Sequence, residues 1–310
     1  MRVAFAGTPE FAATILSGLL DSPHEVGLVI SQPDRRRGRG RKTTPSPVSA
    51  LARAQDLPLA QPDRIGELAD RISAHDALVV AAFGQILRAD ALYAAPHGAW
   101  NVHASLLPKY RGAAPIERAI MEGEEETGVT IMRMDEGLDT GPIALQRPTP
   151  IAPDATGGEL TEELAYLGAN AMVEALTLLQ AGSLTVSEQD SLNATYASKL
   201  LDEDKVIWWG EGARGVHDLV RALAPNIGAR AFHAGFDGPV KMWRSRVGDG
   251  QPPGGPPGTI SVADGRIAVQ CGTGTLEVLE LQAPGGRRVS ARDFLLGRRL
   301  EGRFEAPEGA

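Results

Sequence analysis

Cysteine is nearly missing from this chain, with Cys271 the only one. A lone thiol cannot build an intramolecular disulfide framework, which points to a reducing compartment. The six histidines, at 24, 75, 97, 103, 217 and 233, show no zinc-ligand spacing, so no metal is expected. Long apolar runs are missing too. None reaches the roughly 18 residues of a membrane-spanning helix, and the short apolar stretch after Met1-Arg2 is too brief for a secretory signal. The expectation is a cytoplasmic monomer with no membrane partner. Aromatic residues make up only 5%, but 43% apolar and 23% charged residues are ordinary for a globular protein. That composition excludes a disordered, collagenous or coiled-coil chain. A length of 310 residues suggests two domains.

The net charge of −8 argues at first against a polyanionic partner. Its distribution argues the other way. Residues 1–200 carry 17 basic and 25 acidic side chains, whereas residues 201–310 carry 14 of each. Arg35, Arg36, Arg37, Arg39, Arg41 and Lys42 place six cations in eight positions. A second excess lies at 241–303, with ten basic and six acidic groups, Lys241, Arg244, Arg246, Arg287 and Arg288 among them. A short charge run is commonly a solvated loop. Cations interspersed with Gly38 and Gly40 between proline-containing flanks also suit an arm that orders on phosphate.

Apolar runs at 3–6, 26–31 and 77–83 alternate with helical patterns, the first through Phe11, Ile15, Leu16 and Leu19. Thr8 is the expected N-cap there, with Pro9 at the first helical position. Further helices are expected at 48–55, 86–93 and 115–121, and strands at 100–103, 129–134 and 143–146. This alternation predicts an α/β domain with a mostly parallel sheet and helices on both faces. Leu160, Leu164, Leu167, Gly168, Ala171, Ala175, Leu178 and Leu179 recur at helical spacing and give that helix a core face. The periodicity fades from 183 to about 201. Beyond it, short segments between Gly, Pro and Asp predict a small β-barrel or sandwich, with the prolines at 252–257 in a surface loop.

Gly7-Thr8-Pro9-Glu10-Phe11-Ala12 lacks the glycine pattern of a dinucleotide loop, which argues against a nicotinamide or flavin cofactor. Asn101 and His103 are two apart in a predicted strand, so their side chains share a face at its carboxyl end, where open α/β sheets bind ligands. The segment Met134-Asp135-Glu136-Gly137-Leu138-Asp139-Thr140-Gly141 makes a tight loop from which one carboxylate can return toward the histidine. Taken alone, both features also fit a satisfied buried pair and an ordinary turn.

The longer run Asn101-Val102-His103-Ala104-Ser105-Leu106-Leu107-Pro108-Lys109-Tyr110-Arg111-Gly112-Ala113-Ala114-Pro115-Ile116 closely resembles the methionyl-tRNA formyltransferase family. So do Glu126-Thr127-Gly128-Val129-Thr130-Ile131-Met132 and Gly137-Leu138-Asp139-Thr140-Gly141. The likeness extends to Phe5-Ala6-Gly7-Thr8-Pro9-Glu10-Phe11, to Gln32-Pro33-Asp34 through Pro45-Ser46-Pro47-Val48, and to Thr195-Tyr196-Ala197-Ser198-Lys199-Leu200. It is strong over 1–145 and weaker beyond 200. Ala224-Pro225-Asn226-Ile227-Gly228-Ala229 departs from it, since a tryptophan-containing Asn-Pro-Trp-Pro segment is expected there.

The resemblance implies a Rossmann-like catalytic domain over 1–182, a linker over 183–201 and an OB-like tRNA-binding barrel over 202–310. It implies formyl transfer from the co-substrate 10-formyltetrahydrofolate to the amino group of initiator methionyl-tRNA, with no metal. Asn101 and His103 would stabilise the oxyanion of the tetrahedral species, while Asp139 orients His103, stabilises its charge and helps move the amine proton. Ser105, Leu106, Leu107 and Pro108 match the turn beside the folate, with strand-end backbone open to the pterin. Arg35, Arg36, Arg37, Arg39, Arg41 and Lys42 would enter the tRNA acceptor end, Arg39 foremost, and Lys241 and Arg244 would follow its backbone. Two rivals remain: a folate-dependent formyltransferase acting on a nucleotide-linked amino sugar, which needs no arginine-rich arm, and a noncatalytic RNA-binding protein, which leaves Asn101, His103 and Asp139 unexplained.

Overall fold

Strands with no polar alternation build the centre of the first sheet. Val3, Ala4, Phe5 and Ala6 are fully buried, as are Ala77, Leu78 and Val79, because helices cover both faces. The computed structural model describes residues 1–37, 42–249 and 253–305. The chain divides into two compact units. One holds Met1–Pro115, Glu126–Pro150 and Thr161–Ala197; the other holds Ile116–Glu125, Ile151–Leu160 and the residues from Ser198 on.

The sheet of the first unit uses β1 (Arg2–Gly7), β2 (Glu25–Ile30), β3 (Leu59–Ala60), β4 (Ala77–Ala81), β5 (Ala99–His103), β6 (Glu126–Arg133) and β7 (Ile143–Pro150). Its spatial order is β7-β6-β5-β4-β1-β2-β3. The strands from β3 to β5 run parallel, and β6 and β7 add antiparallel at the β5 edge. One face packs Ala4, Ala6, Leu28, Ile30, Leu78 and Val80 into a common core with Ile72 and Leu92. The opposite face takes the helices Glu10–Leu20 and Gly157–Gln180. Gly168 is where the long helix crosses β5: a Cβ there would lie 2.6 Å from Val102 Cγ1. With Val102 turned to that helix, strand alternation turns Asn101 and His103 to the other face.

Local expectations are corrected in several places. Thr8 does not cap the first helix; its hydroxyl donates to Phe83 O at 2.9 Å, and Pro9 occupies the cap position without a side-chain bond. The helix expected over 86–93 shrinks to Ala89–Leu92, leaving Ile86 89% exposed. Residues 183–197 are no free connection. Ser187 and Ile143 exchange backbone hydrogen bonds of 2.9 and 2.8 Å, and Tyr196–Ala197 pairs parallel with Arg111–Gly112.

In the second unit β8 (Ala229–Ala231), β9 (Val240–Val247), β10 (Ile260–Ala263), β11 (Arg266–Gln270), β12 (Thr275–Gln282) and β13 (Val289–Ser290) form an antiparallel sheet. The order is β8-β9-β12-β11-β10, with β13 on β12. Bridges from Glu305 to Phe232 and from Arg303 to Thr259 connect the outer strands and round the sheet into a small barrel. Val216 and Val220 of the helix Ala213–Ala222 enter its core beside Trp209, Met242, Val278 and Phe304. That helix and Ala291–Gly297 were not expected from the sequence. Burial pushes the Cys271 thiol up to about 11, so it stays protonated at neutral pH. Among the described residues no helix is long and apolar enough to cross a membrane.

Candidate active site

β5 is buried along its whole length, and its polar residues are the exception that needs a reason. Asn101 pairs through its backbone with Val80 and Met132, and His103 with Thr130. The His103 ring is enclosed, with Nε2 2.9 Å from Tyr110 O. A carbonyl only accepts, so the ring proton sits on Nε2. Nδ1 then faces Asp139 Oδ2 across 3.7 Å, too far for a direct hydrogen bond and close enough for charge to be felt. Among the described residues nothing hydrogen-bonds the Asn101 carboxamide, although the residue is only 9% exposed. The site therefore presents two free amide N–H groups and a bare imidazole nitrogen backed by a carboxylate.

Asp139 reaches this position through a loop between β6 and β7. Asp135 closes the loop, accepting from Gly137 N at 3.0 Å and from Thr140 Oγ1 at 2.7 Å. Asp139 itself has φ of +52°, the left-handed region, and its Oδ2 accepts from Gly112 N at 2.9 Å. Gly141 follows where the loop passes Arg133 O so closely that a Cβ would stand 1.9 Å away.

The turn Ser105 to Pro108 leads away from His103, with a cis peptide between Leu107 and Pro108. Its backbone is less open than expected. Ser105 O accepts from Thr130 Oγ1 at 2.7 Å, Thr130 Oγ1 in turn accepts from Leu107 N at 3.1 Å, and Leu107 O accepts from Gln146 Nε2 at 2.8 Å. Ser105 and Leu107 are buried, leaving Leu106 and Pro108 as the half-exposed members. Thr130, Gln146, Arg111, Gln189 and Thr195 are supports to which sequence reading gave no role. Thr130, Arg111 and Thr195 lay inside the matching runs, Gln146 at the end of an expected strand, and Gln189 where helical periodicity had faded.

The basic run is more ordered at its base than an unstructured arm. Arg35–Arg37 pairs antiparallel with Lys42–Thr44. Arg39 and Arg41 lie outside the described residues, as do the side chains of Arg35, Arg36, Arg37 and Lys42. Below the hairpin, Asp34 accepts from Arg53 at 2.8 Å, Gln61 at 2.7 Å and Ser49 at 3.0 Å. Burial pushes its carboxyl up, but these bonds outweigh that and hold it below the usual carboxylate range. In the second unit Lys241 Nζ donates to Ile227 O at 2.7 Å and sits over the Trp243 ring. Arg244 is exposed beside a cavity of about 170 Å³ lined by His217, Arg221 and Trp243. Burial holds His217 below the usual histidine value against the opposing pull of Asp218 and Asp154. Among the described residues no group of three or more His, Cys, Asp or Glu is placed to hold a metal ion.

Residues 1–176 match the formyl transferase family, and residues 199–299 match the formyl transferase C-terminal domain. A methionyl-tRNA formyltransferase of Rubrobacter xylanophilus is 62% identical over 302 residues, spanning 97% of this chain and 99% of the relative. One from an Anaeromyxobacter species is 48% identical over 306 residues, 96% of this chain and 97% of its own. Among solved structures, an N-formyltransferase from Helicobacter canadensis with folinic acid and dTDP-3-aminofucose superposes with a TM-score of 0.66 at 17% identity, covering 93% of this chain and 100% of that one. HypX from Aquifex aeolicus with tetrahydrofolic acid gives 0.68 at 17% identity, over 95% of this chain and 47% of that one. At such identities these two attest the fold alone, whereas near-complete alignment at 62% identity attests more: the chain belongs to the methionyl-tRNA formyltransferase family.

Proposed function

We infer that the chain transfers the formyl group of 10-formyltetrahydrofolate to the amino group of methionine esterified to initiator tRNA, producing N-formylmethionyl-tRNA for translation initiation. The observation that carries this is 62% identity, along almost the whole of both chains, to a methionyl-tRNA formyltransferase. Catalysis is placed in residues 1–182, supported by 183–197 through their pairing with Ile143 and Arg111–Gly112, and tRNA binding in the domain over 202–310.

The site's geometry supports specific roles. The neutral amine attacks the formyl carbon, forming the new C–N bond and leaving negative charge on the formyl oxygen. The Asn101 carboxamide, unengaged by described residues, donates to that oxyanion. His103, with Nε2–H held by Tyr110 O, accepts the amine proton at Nδ1 and becomes an imidazolium stabilised by Asp139. Return of that proton to N10 of the folate as its bond to the formyl carbon breaks releases tetrahydrofolate. No net proton is gained or lost.

Ser105, Leu106, Leu107 and Pro108 line the folate, with Leu106 and Pro108 as the accessible members. Arg35, Arg36, Arg37, Arg39, Arg41 and Lys42 engage the acceptor end, and Lys241 and Arg244 the tRNA backbone. The enzyme works in the cytoplasm, where charged tRNA is used, as a single chain. Incubation with 10-formyltetrahydrofolate and either methionyl initiator tRNA or a nucleotide-linked amino sugar tests the reading. Formyl transfer to the tRNA is expected. Transfer to the sugar alone, or to neither, would overturn it.

A further inference from the structure

We propose that Gln189 is a positioning residue for the formyl transfer, its single carboxamide tying the backbone of the Asp139 loop to the Arg111 guanidinium. The inference rests on the reading that Asp139 supports His103. Gln189 Nε2 donates to Asp139 O at 2.8 Å and to Gly141 O at 2.7 Å, while its Oε1 accepts from Arg111 Nε at 3.0 Å and Nη2 at 2.7 Å. A glutamine amide has two N–H groups and two lone-pair directions, and all four are used here.

Each bond falls on a group that shapes the site. Asp139 stands at φ +52°, a conformation that a non-glycine residue keeps only where its surroundings fix it. Gln189 takes the carbonyl of that same residue and the one two positions on. Arg111, 3% exposed, precedes Gly112, whose N–H donates to the Asp139 carboxylate. Tyr110, which holds His103 Nε2, donates its own N–H to Thr195 Oγ1 at 2.9 Å, and Arg111 N donates to Thr195 O at 2.9 Å. The stretch from Gln189 to Thr195 therefore fixes both protein groups that face the His103 ring. Gln189 is the member of it that reaches the Asp139 side.

Chemistry makes the residue type specific. Glutamate at 189 would still accept from Arg111 but could not donate, and would set a carboxylate against two carbonyl oxygens. Methionine would lose both arms at similar volume.

The test measures steady-state kinetics and thermal melting of the full-length chain carrying Gln189→Glu, Gln189→Met, Asp139→Ala, and each pair with Asp139→Ala. If Gln189 positions Asp139, kcat falls by on the order of 10- to 100-fold in either single variant, the scale of a catalytic group misplaced by about an ångström. KM for tRNA and for folate stays within about two-fold. In the Asp139→Ala background the same changes cost less than about two-fold further, because the group being positioned is gone. An equal further loss in that background, or unchanged kcat in Gln189→Glu and Gln189→Met, overturns the proposal. Wild-type kcat in Asp139→Ala alone removes the reading beneath it, and the proposal with it. Should Gln189→Met fail to fold, Gln189→Glu, which keeps the size and the Arg111 bonds, carries the same comparison.

Discussion

Around β5 the working polar groups are enclosed. His103 is 5% exposed and Arg111 3%, and their partners are backbone carbonyls, a carboxamide and one carboxylate. Along β9 of the second unit the cations stand outward instead. Arg244 and Arg246 are exposed, and Arg246 pairs with Glu277 on the neighbouring strand. The contrast fits the role proposed for each region. A reacting formyl carbon needs donors fixed in place before it arrives, and enclosure by hydrogen bonds supplies that rigidity. A phosphate backbone needs charge that solvent and counterions can leave, which exposed arginines supply without exact geometry.

Substitutions that open the enclosed region should be the most damaging. Asn101→Ala and Asp139→Ala should each lower kcat by about 100-fold or more, and the double variant by less than the product of the two. Independent, fully multiplicative losses would break the idea of one unit. Arg39→Ala should reduce kcat/KM for methionyl-tRNA on the order of 10-fold, the usual range for a lost charged contact, with folate affinity unchanged by fluorescence titration. Equal loss for folate would erase the division between the two kinds of region. Gly168→Val tests the packing behind β5. Added bulk against Val102 should cost about 1–3 kcal/mol in denaturant unfolding, with a smaller kcat loss than Asn101→Ala. The smallest effect is on salt dependence. Arg244→Ala should flatten the slope of log tRNA affinity against log salt by roughly 0.7–0.9, one phosphate contact. Lys241→Ala should change it less, because that ammonium already donates to Ile227 O and lies over Trp243.

Periodicity and motif made the centre of this molecule legible and left its margins dark. The buried strands at 3–6 and 77–83 announce themselves because two covered faces leave no room for polar alternation. Asn101 and His103 stood out as polar residues in such a strand, a pattern that by itself also fits a satisfied buried pair, and only the family motif attached a role to them. The helix Ala213–Ala222 was passed over although Val216, Leu219, Val220 and Leu223 recur at helical spacing; beside them the buried Asp218 pairs with Arg221 at 2.6 Å and His217 Nδ1 bonds Ser245 Oγ at 3.0 Å. Gln189 escaped for a different reason. Its four hydrogen bonds join positions 48 to 78 residues away, and no local pattern in 183–201 marks a side chain that acts at such a distance.

The central claim is that His103, its Nε2–H held by Tyr110 O, takes the amine proton at Nδ1 beside Asp139 and returns it to N10 of the folate. Single-turnover formylation of methionyl initiator tRNA by His103→Ala, at saturating 10-formyltetrahydrofolate and with folding checked by circular dichroism, tests it most directly. A folded variant slowed by about 100-fold or more is the predicted result. A folded variant that transfers formyl groups at close to the wild-type rate would contradict the account.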